Sequence, residues 1–308
     1  MTAVLALRAL GLGDALTGVP ALRGLRRLYA DRRLVFAGSE PVAGWFATLG
    51  LVDHVVPTSG LAGPAPGLGL GSHVAVNLHG SGPQSHRLLQ AGAPRELIAF
   101  DSPAAGYRAG CRWSLDEHEV ARWCRLVSWA GASCNVTDLR LPITAASDGA
   151  IVVHPGAASL ARRWPVERWT EVIAELRADG HHVVLTGTET ELCQKLTTVS
   201  GAENLSGQLA IHQLAERVAS AALVLCGDTG VAHLATALGI RSVTLFGPTP
   251  PAIWGPATDL DRHTVLYHGS CPGDPHADRP DPTLLRISVS EVLTAARARL
   301  HGTTKPST

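Results

Sequence analysis

Two stretches of this chain carry residues whose types and spacing could do chemistry together. In "LCGDTGVAHLATALG" (225–239), Asp228, Thr229 and Gly230 separate two apolar runs, and His233 falls in the first turn of the helix that follows. A helix start presents main-chain N–H groups without intrahelical acceptors and the positive end of the helix dipole, so it suits an anion. Gly230 has no side chain to keep phosphate oxygens away. Asp228 reads either as an N-cap or as an acceptor for a ligand hydroxyl, and His233 either reaches the same spot or is a structural histidine. In "HPGAASLARRWP" (154–165), a strand ends, small residues follow, and Arg162 and Arg163 precede a helix beginning at Pro165. Main-chain donors, a dipole and two guanidinium groups there suit a diphosphate; a surface loop with two solvated arginines is the plainer alternative. Two glycine-bearing helix starts in one half of the chain favour a nucleotide diphosphate site.

Other nucleotide motifs fail. "GLGD" (11–14) has Leu16 where a G-x-G-x-x-G fingerprint needs its third glycine, and no G-x-x-x-x-G-K-[ST] run occurs. NAD binding and a P-loop are therefore not expected. No C-x-x-C pair occurs among the cysteines at 111, 124, 134, 193, 226 and 271, and their gaps match no zinc spacing. We expect six reduced thiols, no metal, no cofactor and a cytoplasmic protein.

The elements that must hold these loops follow from the alternation of short apolar runs with helical periodicity, the signature of parallel α/β architecture. Strand candidates are 3–10, 33–39, 54–60, "HVAVN", "AIVVH", "HHVVLTG", "LVLCGD" and "SVTLFGP". Helices are expected between them, including one with Leu16, Val19, Leu22, Leu25 and Leu28 on one face and Pro20 in its first turns. The Gly/Pro-rich stretch 60–72 is a loop, and "TLLRISVSEVLTAARARL" is a terminal amphipathic helix before a fraying "GTTKPST". The composition break near 140–150 divides the chain into domains 1–147 and 148–282, with a helix and tail at 283–308. Ligands of doubly wound sheets bind outside the carboxyl ends of the strands. Two facing units of this kind would enclose a cleft.

Bulk composition agrees. The 308 residues are 45% hydrophobic and 17% charged, as in a well-packed protein. Formal net charge is +0, which gives no field to draw nucleic acid. Lys195 and Lys305 are the only lysines. Arg8 and Asp14 break the apolar N-terminal stretch too early for a signal sequence, and no run approaches a membrane span.

The chain resembles glycosyltransferase family 9, which includes the ADP-heptose:lipopolysaccharide heptosyltransferases. The resemblance rests on "GDALTGVPALRGLR" (13–26), "NLHGSGPQS" (77–85), "HPGAASLARRWPVERW" (154–169), "VVLTGTETE" (183–191) and "DTGVAHLATALGIRSVTLFGPT" (228–249). It implies a GT-B fold, two Rossmann-like domains with the donor mainly on the second, and metal-independent transfer that inverts the anomeric centre. By motif, Asp14 takes the position of the general base, although a helix cap is its plainer role. Arg162 takes that of the basic residue that neutralises the leaving diphosphate. The stretch Ala157 to Ser159 departs from a hydroxyl-rich version in some members, which leaves Ser159 to supply the one remaining side-chain contact to the donor. Glu189 matches the acidic residue on the nucleoside ribose, and Leu209 falls where main chain wraps the base. Asp228, Thr229, Gly230 and His233 match the donor loop. The implied partners are a nucleotide-sugar donor, a glycan or small-molecule acceptor, and transiently the inner membrane surface. The alternatives on the same scaffold are a non-hydrolysing nucleotide-sugar epimerase and a non-catalytic nucleotide-sugar-binding protein.

Overall fold

A computed structural model describes residues 3–301. The chain separates into two compact units, Met1–Leu139 and Arg140–Thr308. The division falls earlier than the 147/148 break expected from composition. Leu141 is already tied to the second unit, its N–H bonding the Ala237 carbonyl, and Arg140 pairs with Asp259.

The first unit contains β1 (Ala3–Leu7), α1 (Leu12–Thr17), α2 (Val19–Leu28), β2 (Arg33–Gly38), α3 (Glu40–Thr48), β3 (His54–Pro57), β4 (His73–Asn77), α4 (Gln84–Ala91), β5 (Glu96–Ile98) and α5 (Glu119–Trp129). Its sheet is parallel, in the order β3-β2-β1-β4-β5. Strands β1 and β4 are buried at every position, as expected of central parallel strands covered on both faces. The single helix expected over 16–28 is two. Proline at 20 has no N–H to donate backwards, so the chain turns at Gly18 and Pro20 sits in the first turn of a new helix.

The second unit contains β6 (Ile151–His154), α6 (Val166–Ala178), β7 (Val183–Leu185), α7 (Thr190–Ser200), β8 (Glu203–Asn204), α8 (Ile211–Ala219), β9 (Leu223–Gly227), α9 (Gly230–Leu238), β10 (Ser242–Leu245), α10 (Pro251–Trp254), β11 (His263–Leu266), α11 (Pro282–Leu285) and α12 (Val289–His301). The order β11-β10-β9-β6-β7-β8 is that of a dinucleotide-binding sheet. Its topological switch lies between β6 and β9, which pair in parallel from Ile151↔Leu223 to His154↔Cys226. Trp169, Val172, Ile173 and Leu176 of α6 and Val292 and Ala296 of α12 close one core over this sheet. The C-terminal helix therefore belongs to the second unit rather than standing apart from residue 283 on. It is also split in two, at Arg286–Ser288. The edge strands β5, β8 and β11 carry too few apolar residues to be read from sequence. The "GTTKPST" segment lies outside the described residues.

His263, on β11, is buried with its Nδ1 2.8 Å from the Ser242 hydroxyl. Burial pushes its imidazole down to about 4 from an ordinary 6.5. The unfolded chain therefore takes up the proton first, so stability is full above about pH 6.5 and declines as pH falls towards 4. Urea denaturation across this range should show a falling unfolding free energy whose slope is reduced in His263→Asn. An unchanged slope would remove His263 as the cause.

Candidate functional site: the switch point of the second unit

The carboxyl ends of β6, β7 and β9 place three loops side by side. The loop after β9 leads into α9 with Thr229, not Asp228, at the N-cap position. Thr229 makes no capping bond with its side chain, and its Oγ1 is buried without a partner. Gly230 is the first helical residue, and no acidic side chain occupies the first turn. Within its first turn the helix therefore carries no side-chain anion against its amino-terminal positive end. Asp228 is buried, with Oδ2 3.9 Å from Arg162 Nη1. His233 lies one turn further in, its ring edge-on to Trp254 of α10 with centroids 5.8 Å apart.

The loop after β6 forms a short 3-10 turn, Leu160–Arg162, before α6. Arg162 extends over the end of β9, and its Nη1 donates to the Asp228 carbonyl at 3.2 Å. Its Nε is buried with no partner. Gly227 makes this crossing possible, since a Cβ there would lie 3.1 Å from the Arg162 carbonyl oxygen. Arg162 and Arg163 do not converge as expected. Arg163 is extended (φ −96°, ψ 117°), so its side chain leaves on the opposite side. It donates to the Ala157 carbonyl at 2.8 Å and pairs with Glu189 at 3.2 Å. Only Arg162 joins the α9 start.

Ser159 is spent internally. Its hydroxyl donates to the Ala277 carbonyl (3.3 Å) and accepts from Ala161 N–H (3.1 Å), which leaves it no proton for a phosphate oxygen in this arrangement. The same carbonyl belongs to the segment 271–282. Ala277 and Asp281 bond the main chain of Ala161, so the segment braces the arginine turn.

Glu189 opens α7 without capping it. Its carboxylate lies between Arg163 and the Thr188 hydroxyl and rests on Gly156, where a Cβ would fall 2.1 Å from Oε2. A groove of about 460 Å³ runs past Arg163, Thr188, Glu189, Thr190 and Lys195. His154, at the end of β6, bonds the Thr186 hydroxyl at 3.1 Å. Burial holds its imidazole at about 4, neutral at pH 7, although Glu189 pulls the other way. Leu209 is half-buried in the segment after β8, which Gly207 ties to the Gly187 carbonyl at 2.8 Å. The donor-loop residues Arg162, Asp228, Thr229 and Gly230 are thus brought together, with Glu189 and Leu209 at neighbouring strand ends.

Asp14 belongs to the first unit, in the first turn of α1 at the β1 end of that unit's own switch point. Gly11 is the N-cap residue there, so Asp14 is not the cap. Its carboxylate is about one-third exposed, with Oδ1 3.6 Å from Arg8 Nη2. Sequence reading missed Arg8 altogether, apart from its effect on hydropathy. His79, from the motif after β4, accepts the Ala9 N–H at Nδ1 (3.2 Å). Burial and Arg8 push His79 down, against an upward pull from Asp14.

Residues 113–280 match the model of glycosyltransferase family 9 (heptosyltransferase), and the chain belongs to that family. Lipopolysaccharide heptosyltransferase 2 of Escherichia coli (strain K12) is 30% identical over 151 residues, covering 46% of this chain and 43% of that protein. The chain spans less than half the length of the curated relatives it matches. The fold is shared with a family 9 glycosyl transferase from Veillonella parvula DSM 2008, with TM-score 0.80, 17% identity and 97% of each chain covered. It is also shared with an E. coli heptosyltransferase solved with ADP, with TM-score 0.76, 19% identity, 97% of this chain and 100% of that one. These likenesses establish the GT-B fold. Among the described residues, no group of three or more His, Cys, Asp or Glu is placed to hold a metal ion, and no helix is long and apolar enough to cross a membrane.

The seat of Glu189 on Gly156 is testable. Gly156→Ala should push the flexible Glu189 carboxylate off its seat and cost about 1 kcal/mol of stability, the low end for overpacking. Adding Glu189→Ala should recover most of that loss in urea denaturation; additive losses would show that the two residues do not share this contact.

Proposed function

We propose that this protein is an inverting glycosyltransferase that moves heptose from ADP-heptose to a cell-envelope glycan. The observation that carries the donor half is the pair of buried, unpartnered polar atoms at the second unit's switch point, Arg162 Nε and Thr229 Oγ1, at a helix start whose first turn holds no acidic residue. Such a place favours an anion. The names of the relatives, lipopolysaccharide heptosyltransferases and a lipopolysaccharide core heptosyltransferase, support heptose as the sugar and lipopolysaccharide core as the acceptor.

The chemistry then needs one base and one site for growing charge. Asp14 takes the proton of the acceptor hydroxyl as that oxygen attacks the anomeric carbon. The carbon–oxygen bond to the diphosphate breaks on the opposite face, and its electron pair leaves with ADP. Negative charge on the diphosphate rises along this path. Arg162 and the α9 N–H groups therefore bind the transition state better than the ground state, with no divalent ion in the step.

Arg162→Ala should weaken ADP binding by about 10–100-fold in titration calorimetry, the range for a hydrogen bond to a charged group. Unchanged affinity would reject the donor site. Asp14→Asn should lower turnover by about 10²–10⁴-fold with ADP affinity unaltered, measured as ADP release from ADP-heptose in the presence of lipopolysaccharide core oligosaccharide. Full turnover would reject the base. Loss of wild-type turnover on adding a metal chelator would reject the metal-free step.

A further inference from the structure

The first unit contains a charged group that the transfer scheme leaves unused. The Arg8 side chain is fully buried at the end of β1. Burial depresses its pKa, while Asp14 and Glu119 pull it back up. A buried guanidinium persists only where its donors are satisfied and its charge is matched. Here every arm is engaged. Nε donates to the Asp14 carbonyl, and Nη1 to the Leu78 carbonyl at the end of β4. Nη2 lies 2.9 Å from Thr17 Oγ1, 3.0 Å from Glu119 Oε1 and 3.6 Å from Asp14 Oδ1. The plane stacks over Trp123 at 4.6 Å.

A charge serving only to anchor the fold would be satisfied by Glu119. Arg8 instead holds Asp14 at both its main-chain carbonyl and its carboxylate. Thr17 adds a second grip, its hydroxyl donating to the same Asp14 carbonyl at 2.7 Å. Glu119 is itself clamped, by Arg122 and by the Trp123 indole N–H at 2.9 Å. The cluster thus contains two arginines and two carboxylates, of which only Asp14 reaches solvent. With Oδ1 towards Arg8, Oδ2 borders the space over Gly11, where a Cβ would sit 3.7 Å away.

We infer that Arg8 is a positioning residue for the transfer reaction, fixing Asp14 so that Oδ2 is presented to the acceptor hydroxyl while Glu119 balances the buried charge. The inference rests on Asp14 being the base. Lysine at position 8 keeps the charge but cannot span the Asp14, Leu78 and Thr17 oxygens at once.

The test is a double-mutant cycle read by ADP release from ADP-heptose with lipopolysaccharide core oligosaccharide, alongside ADP calorimetry. Arg8→Lys should lower kcat at least tenfold with the ADP dissociation constant unchanged. In the Asp14→Asn background, it should lower the residual turnover by less than twofold. Equal losses in both backgrounds, or an unchanged kcat in Arg8→Lys alone, would overturn the role of Arg8 and leave the base standing. Full turnover in Asp14→Asn alone would overturn the base, and this inference with it. Should Arg8→Lys fail to fold, Thr17→Val, close to isosteric, removes one grip on the same carbonyl. It should lower kcat but not ADP affinity, again only when Asp14 is present; a loss independent of Asp14, or no loss, would count against the inference.

Discussion

Main-chain N–H groups at the start of a helix cannot be satisfied by that helix, and in a parallel sheet every crossover brings such a start back to the same edge. Where neighbouring strands connect in opposite directions, the loops diverge and leave room above those donors. In the second unit this happens between β6 and β9. The local sequence there is arranged around keeping the donors reachable. Gly227 lets the Arg162 main chain cross the strand end, Gly156 makes room for Glu189, and Gly230 begins the helix with no side chain.

Charge is then distributed along that edge by the alternation of an extended backbone. Arg162 and Arg163 are adjacent in sequence but serve opposite ends of the site. One lies 3.9 Å from the Asp228 carboxylate, while the other closes on Glu189 at 3.2 Å. The result is a gradient rather than a basic patch. Arg162, with its Nε unpartnered, faces the α9 start, and the Arg163–Glu189 pair with the Thr188 hydroxyl faces the groove. That polarity suits a ligand with a charged middle and a hydroxyl-bearing end.

Much of this was legible because it is local. A strand, a glycine-bearing loop and a helix start are contiguous in sequence, so the α/β class, the two units and the loops at 154–165 and 228–233 could be read directly. What escaped depends on distant partners. Arg8 looks like an interruption of an apolar run, and its meaning appears only with Glu119, 111 positions away. The bracing of Ala161 by residues 277 and 281 is equally non-local. The divergence of Arg162 and Arg163 turns on one pair of dihedrals that composition does not specify. The Ser159 hydroxyl likewise has its partner 118 residues away.

The two switch points show how one topology yields opposite sites. In the first unit, the space between the ends of β1 and β4 is filled from within. Arg8 bonds Leu78, and His79 takes the Ala9 N–H, which closes the strand ends against each other. The helix that follows carries its own anion in its first turn, Asp14. A diphosphate there would meet a carboxylate at a helix start already compensated. In the second unit the corresponding helix has no acidic residue in its first turn, and the hydroxyl at its cap has no partner. The first unit's helix start thus carries a carboxylate, and the second unit's carries none in its first turn. The difference arises from a few side chains, Arg8, Asp14 and His79 against Gly227, Thr229 and Gly230, placed on otherwise equivalent frames.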